Sequence, residues 1–359
     1  MLLFLGLLMF IMLVIFHEFG HYLAAKRTGV VVEEFGIGFP PRAAAKRFKA
    51  GGTLYSINWL PLGGFVKLKG EHDADKTKDS YGAATMGQKT FILLAGVAMN
   101  LLAAVVILTI LSWSGLPKLV DGQFSVPSDT KIIQNDVLIT YVAEGSPADQ
   151  AGLAVGDRVV SLNGQPVESA DQLAPMTELL AGQTVAVEIE ADNQNYVRQI
   201  RFNSAASDEG YLGVGPGNFV VERSTWSAPV KGTVLSGQFA WLTLKGVVTT
   251  LGQLFTGQGG AAADNVAGPV GIVVLLSDIS QAGVSFVLMF VALISVTLAV
   301  MNALPIPALD GGRLFVSWLF KLLKRPLKAA TEERIHATGM AVLMGLVILI
   351  TFIDVRRFF

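Results

Sequence analysis

Apolar side chains run from Leu2 to Phe16 without a charged interruption, pass through the cluster FHEFGH (Phe16–His21), and stop only at Lys26. Three later stretches repeat the pattern without any charge: roughly Phe91–Trp113, Ser285–Leu304 and Ala337–Ile353. With Leu2–Ala25 they form four candidate spans. The last is the shortest, near the ~17-residue lower limit for crossing ~30 Å of hydrocarbon. The first 16 residues lack the basic segment and small-residue cleavage site of a signal peptide, so a retained helix is expected there. Between spans two and three the pattern changes. TVAVEIEA (Thr184–Ala191) alternates Val185, Val187 and Ile189 with more polar positions, as a half-buried strand does. Ser146, Pro147 and Gly152 mark the start and stop of a short helix, and Asn163-Gly164 marks a tight hairpin turn. Trp241, Leu244, Val248, Leu251 and Phe255 form a stripe at helical spacing within residues 229–256. Lys231 and Lys245 argue against a fifth crossing, so an interfacial helix is expected.

The bulk numbers agree with a membrane protein: 359 residues, 52% hydrophobic, 15% charged, with a mean hydropathy of +0.54. A net charge of −1 gives no reason to expect nucleic acid as a partner. Cysteine is absent, which excludes disulfides and restricts any metal to His, Asp or Glu ligands. Lysine and arginine set the orientation. Residues 26–89 carry 11 of them, residues 113–284 carry 8, and the short segment 305–335 carries 6. The dense segments belong on the cytoplasmic side, which puts the long middle region outside. Arg356-Arg357 in the tail runs against this rule.

The middle region, over 128–215, resembles a PDZ domain through its SPA…AGL…GD…NG series. Tyr211, Leu212, Gly213 and Val214 look like the carboxylate-binding loop of that family, arriving last as in its circularly permuted bacterial type. Successive backbone N–H groups there form a nest for a carboxylate, and the neighbouring strand edge accepts a peptide by β-augmentation. Four segments follow: 1–113 with the first two spans and the loop between them, 128–215 as the PDZ domain, 216–284 as a linker with the interfacial helix, and 285–359 with the last two spans. The fold expected is a polytopic α-helical membrane protein of about four transmembrane helices. A membrane-associated β-hairpin lies on its cytoplasmic side, and an α/β PDZ domain is inserted extracytoplasmically. The hairpin is GGTLYSINWLPLGGFVKL (Gly51–Leu68), turning at Pro61 and Gly63-Gly64. Leu54, Ile57 and Val66 are its candidates for presenting a strand edge to substrate.

Ionisable groups inside an apolar span are expensive and normally serve a site. His17 and His21 stand four apart, so one helical face carries both imidazoles, and Glu18 beside them can accept a proton from an activated water. This is the H-E-x-x-H pattern of zinc proteases. His72 and His336 stand alone. A catalytic zinc takes three protein ligands, and Asp310 in MNALPIPALDGGR is the carboxylate at the right depth. Spans one and three run in the same direction, so HEFGH and LDGG meet at the cytoplasmic end. Pro305 and Pro307 break the helix, Gly311-Gly312 is expected to loosen it further, and Asn302 offers an amide donor for an oxyanion. Asn100 in span two has no such context and reads as an interhelical hydrogen bond.

HEFGH together with NALPIPALDGG resembles the site-2 protease family, peptidase family M50, of intramembrane zinc metalloproteases. FGIGFPP (Phe35–Pro41), INWLPLGGFVKLKGE (Ile57–Glu71) and AGPVGI (Ala267–Ile272) resemble its bacterial members. The resemblance implies zinc on His17, His21 and Asp310, with Glu18 as general base. It implies a multi-pass protein of the bacterial cytoplasmic membrane that cuts a single-span membrane protein, often an anti-sigma factor, after a first extracytoplasmic cut. Membrane lipid and a peptide or ectodomain stub at the PDZ domain complete the expected partners. Two alternatives remain at this point. One is a membrane-tethered PDZ scaffold with a structural metal site. The other is a metal transporter, disfavoured because spans two and four lack ionisable residues.

Overall fold

The computed structural model describes residues 1–43, 48–50, 52–191, 194–205, 210–258, 260 and 266–359. Lys46, Arg47 and Gly51, used in the charge count and the hairpin expectation, lie outside the described residues. Two compact units emerge: Met1–Leu111 with Ala228–Phe359, and Ser112–Ser227.

The first unit opens with helix α1 (Leu2–Thr28), which carries HEFGH through its interior. Gly29 ends it in the left-handed region at φ 80°, where its N–H caps the carbonyls of Ala25 and Lys26. Three strands follow: β1 (Val32–Arg42), β2 (Phe48–Ala50) and β3 (Thr53–Leu68). The expected hairpin within 51–68 is not what forms. Phe35 on β1 sits opposite both Val66 and Tyr55, Gly36 opposite both Phe65 and Ser56, and Ile37 opposite both Gly64 and Ile57. The two arms of β3 therefore flank β1 instead of pairing with each other. Leu54 pairs with Glu34 on one side and Lys49 of β2 on the other, so it offers no free edge. The Val66 arm is the outer one. Ile57, Trp59 and Leu60 near the bend are exposed. Helix α2 (Met86–Ser114) is the second apolar span.

The second unit is a sheet with strand order β4-β10-β5-β6-β8-β9. These are β4 (Leu116–Pro117), β5 (Lys131–Val142), β6 (Arg158–Leu162), β8 (Thr184–Ala191), β9 (Gln194–Arg201) and β10 (Val214–Arg223), with β7 (Gln165–Pro166) on β6. Ser146 caps α3 (Pro147–Gln150) by accepting from Asp149 N–H, and Asn163 and Gly164 both take positive φ in the hairpin turn, as their sequence signals predicted. Val185, Val187 and Ile189 point into a core shared with Val137, Ile139 and Leu212. Helix α4 (Ala170–Leu179) packs along β10. β10 continues to Arg223, so residues 216–223 belong to this sheet and not to a linker.

The chain returns to the first unit through α5 (Ala228–Phe255), the helix expected over 229–256. Then come α6 (Pro269–Gln281), α7 (Val284–Ala303), α8 (Asp310–Leu322) and α9 (Ala329–Phe358). Among the described residues α1, α2, α7 and α9 are long and apolar enough to cross a membrane. AGPVGI acquires a physical account here. The Asp354 carboxylate on α9 accepts from Gly268 N–H (3.2 Å) and Gly271 N–H (2.7 Å) at the start of α6. A Cβ on Gly268 would lie 2.7 Å from that carboxylate, so the glycine lets it reach the helix end.

Candidate metal centre

The i, i+4 spacing on α1 stacks the His17 and His21 rings edge to face, centroids 4.8 Å apart. Their Nε2 atoms converge to 3.2 Å. Asp310 Oδ2 lies 3.0 Å from His17 Nε2 and 3.2 Å from His21 Nε2. A tetrahedral zinc with ligands at about 2.0–2.1 Å has edges of about 3.3 Å between ligand atoms. The triangle formed by these three atoms fits that ion and leaves a fourth position for a water. His21 is already oriented for it: Nδ1 donates to the Ile92 carbonyl at 2.8 Å, which leaves the Nε2 lone pair free.

Glycines make room for this cluster. A Cβ on Gly96 of α2 would lie 2.5 Å from His21 Nε2 and 2.6 Å from His17 Cε1. A Cβ on Gly20 would lie 2.5 Å from the Ala95 carbonyl, so α1 and α2 touch backbone to backbone at the site. The pair after Asp310 acts in the same way. Gly311 and Gly312 do not loosen the chain; they form the first turn of α8. A Cβ on Gly311 would lie 2.3 Å from the Ala303 carbonyl, and one on Gly312 would lie 1.9 Å from the Ile306 carbonyl. They seat α8 on the unravelled end of α7 and put Asp310 at the positive end of a helix dipole. Ala308, in the turn between, holds φ 78°, a left-handed conformation costing a non-glycine residue ~1–2 kcal/mol.

Glu18 faces the outer arm of β3. The Val66 backbone N–H faces its carboxylate, and a Cβ on Gly64 would lie 3.5 Å from its Cγ. Two residues on, Leu68 N–H donates to Glu71 Oε1 at 2.8 Å. This strand edge thus turns donors toward a cavity of about 110 Å³ lined by Glu18, His21, Val66, Glu71, Asp310 and Arg313. A larger cavity of about 420 Å³ shares Glu71, Asp310 and Arg313 and includes both His72 and His336, which look isolated in sequence. His336 Nδ1 accepts from Ala308 N–H at 3.3 Å, bracing the strained turn.

Asn302 stands in the last turn of α7, half-buried, eight positions before Asp310. Asn100 is the residue that sequence reasoning undervalued. It does make an interhelical hydrogen bond, but to the His17 ring: its Nδ2 lies 3.2 Å from Nδ1. Its one sequence signal is an amide in an uncharged span four residues after Gly96.

In the second unit, Asn203, Ala148 and Ala143 donate backbone N–H groups to the carbonyls of Tyr211, Leu212 and Gly213. The loop leads into β10, whose pairing with β4 involves only Val221 and Glu222. The remainder of that edge, from Val214, lies beside α4, with Ala170 N–H donating to Asn218 Oδ1 at 2.7 Å.

The sequence model of peptidase family M50 matches residues 5–346. A "putative zinc metalloprotease" of Clostridium perfringens is 32% identical over 98% of this chain and 97% of its own. The zinc metalloprotease RasP of Geobacillus kaustophilus is 27% identical, over 97% of this chain and 96% of its own. The regulator of sigma-W protease RasP of Bacillus subtilis is 26% identical over the same shares. Among solved structures, the PDZ domain of an SdrC-like protein from Listeria monocytogenes covers 24% of this chain and 92% of its own, at 20% identity and a TM-score of 0.22. The match over nearly the whole length places the chain in peptidase family M50, as a zinc metalloprotease of the site-2 protease type.

Proposed function

We propose that this protease cuts a peptide bond within the membrane-spanning segment of a single-span protein, an anti-sigma factor or similar, after a first extracytoplasmic cut. The observation that carries this reading is the meeting of His17, His21 and Asp310 beside a strand edge, the histidines on a helix apolar enough to span a bilayer and the aspartate just beyond the end of another. The name of the Bacillus subtilis relative, regulator of sigma-W protease, supports the substrate class. The Lys/Arg distribution supports a bacterial cytoplasmic membrane protein with its active site toward the cytoplasm and its PDZ domain outside.

His17, His21 and Asp310 would hold the zinc. Bound there, the ion supplies Lewis acidity that polarises the scissile carbonyl and acidifies a water. Glu18 takes the proton from the attacking water and returns it to the leaving amine. Asn302 donates its amide N–H to the carbonyl oxygen as charge develops. A substrate helix hides its peptide bonds in its own hydrogen bonds, so it must unwind before attack. The outer arm of β3 at Val66, which faces Glu18, is the edge that receives the unwound segment. Ile57, exposed near the bend, contributes apolar contact with lipid and substrate. Leu54, enclosed between β1 and β2, supports the sheet instead. In the second unit, Tyr211, Leu212, Gly213 and Val214 with the open part of β10 accept a peptide or ectodomain stub.

The test is Glu18→Gln. Purified Glu18→Gln protein is expected to keep about one zinc per chain while cleavage of a single-span reporter falls by ~10²–10⁴. Wild-type turnover by this variant would overturn the assignment. Proteomics of membrane stubs accumulating in cells that carry it would name the substrate.

A further inference from the structure

The two histidines are oriented by different means. The Ile92 carbonyl can only accept, so it holds the His21 proton on Nδ1 whatever happens at Nε2. The partner of His17 is a carboxamide, which can face a ring nitrogen with either end. Asn100 is 1% exposed. It turns its nitrogen toward His17 Nδ1 at 3.2 Å, while its own Oδ1 is buried without a hydrogen-bond partner. A His17 that gives its Nε2 lone pair to a cation must carry its proton on Nδ1, and only the oxygen end of Asn100 can accept it. The two ends of a carboxamide have nearly the same size, so a half-turn about its Cβ–Cγ bond makes that exchange within the same volume. The neighbourhood fixes the backbone that carries the amide: Ser295 on α7 donates to the Asn100 main-chain carbonyl at 2.8 Å, and Gly96, one turn earlier on α2, leaves room for both rings.

We propose that Asn100 is a positioning residue for the metal centre, whose amide oxygen accepts His17 Nδ1–H and so selects the ring tautomer that binds zinc. The proposal rests on the ligand assignment made above. Asn100 touches neither substrate nor ion; it acts through His17, as outer partners of metal-bound histidines do.

The test compares full-length wild-type, Asn100→Asp and Asn100→Leu proteins in detergent, with the zinc dissociation constant read by chelator competition. Asn100→Leu fills the space without an acceptor and is expected to bind zinc about 10- to 100-fold more weakly. Asn100→Asp can accept from Nδ1–H but cannot donate, and is expected to bind at least as tightly as the wild type. Equal losses in both variants, or none in Asn100→Leu, would overturn the proposal. If Asn100→Leu fails to fold, Asn100→Asp decides alone: tight zinc supports the acceptor role, and a tenfold loss refutes it. His17→Ala is the control. A wild type that binds zinc no better than His17→Ala would remove the ligand assignment itself, whereas tight wild-type binding with no effect at Asn100 would remove this inference only.

Discussion

Replacing Gly96 by alanine adds a single methyl group where both imidazoles lie against α2. The added carbon would lie 2.5 Å from His21 Nε2 and 2.7 Å from His17 Nε2. Each is about 1 Å inside the ordinary ~3.5 Å separation. One ring or both must move by that amount, whereas ligand distances in a zinc site hold to about 0.2 Å. Stability of the metal-stripped protein should change little. Overpacking costs ~1–3 kcal/mol, and alanine in place of a mid-helix glycine returns ~1 kcal/mol. Metal binding should suffer far more, because the lone pairs no longer converge: a loss of at least about 100-fold, or ~2.8 kcal/mol, is expected. Chelator competition on the purified variant reads this directly, with a thermal melt of the stripped protein as its companion. A folded Gly96→Ala protein that holds zinc as tightly as the wild type would refute the packing argument and with it the placement of the rings.

Val66→Pro removes the backbone N–H that faces Glu18, so cleavage of a single-span substrate should fall while zinc content stays at about one per chain; unchanged turnover would exclude this edge as the receiving strand. Asp354→Leu leaves the Gly268 and Gly271 donors buried without an acceptor and should cost about 2–4 kcal/mol, seen as a lower melting temperature; a melt equal to wild type would show that the contact is not stabilising. In the second unit, burial pushes the Asp129 carboxyl up, but hydrogen bonds from Ser227 and Thr225, through side chains and backbone, outweigh it and hold the group below the usual range. Its folded value is lower than its unfolded one, so its contribution is complete above pH ~4 and disappears as pH falls through the folded value. Asp129→Asn should flatten that acid limb of a pH–melting curve, and an unaltered limb would assign the acid loss to other carboxylates.

How much of this was legible in the sequence depends on how local the cause is. The imidazole pair announces itself because the helical period alone makes His17 and His21 neighbours. Asp310 follows from the direction of the spans and the break at Pro305 and Pro307. Gly311-Gly312 misled because glycine gives the same signal for a loose turn and for close packing; only the carbonyls of Ala303 and Ile306 decide which. The alternation along Thr53–Leu68 marks a strand but not its partner, so the intrusion of β1 between its arms could not be read there. Asn100 is separated from His17 by 83 positions, and its surroundings in sequence are uniformly apolar. Asp354 falls one residue beyond the uncharged stretch ending at Ile353, so neither it nor AGPVGI suggested the other.

The seating of α8 on the end of α7 has a mechanical consequence. Main chain meets main chain at Gly311 and Gly312, so no rotamer is available there to absorb slack. A nudge to the bend at Pro305–Pro307 is therefore passed on to Asp310 nearly undiminished. On the proposed ligand set, the grip on the ion becomes a gauge of that bend, and a perturbation lodged among the prolines would surface as leaking metal before it surfaced as unfolding.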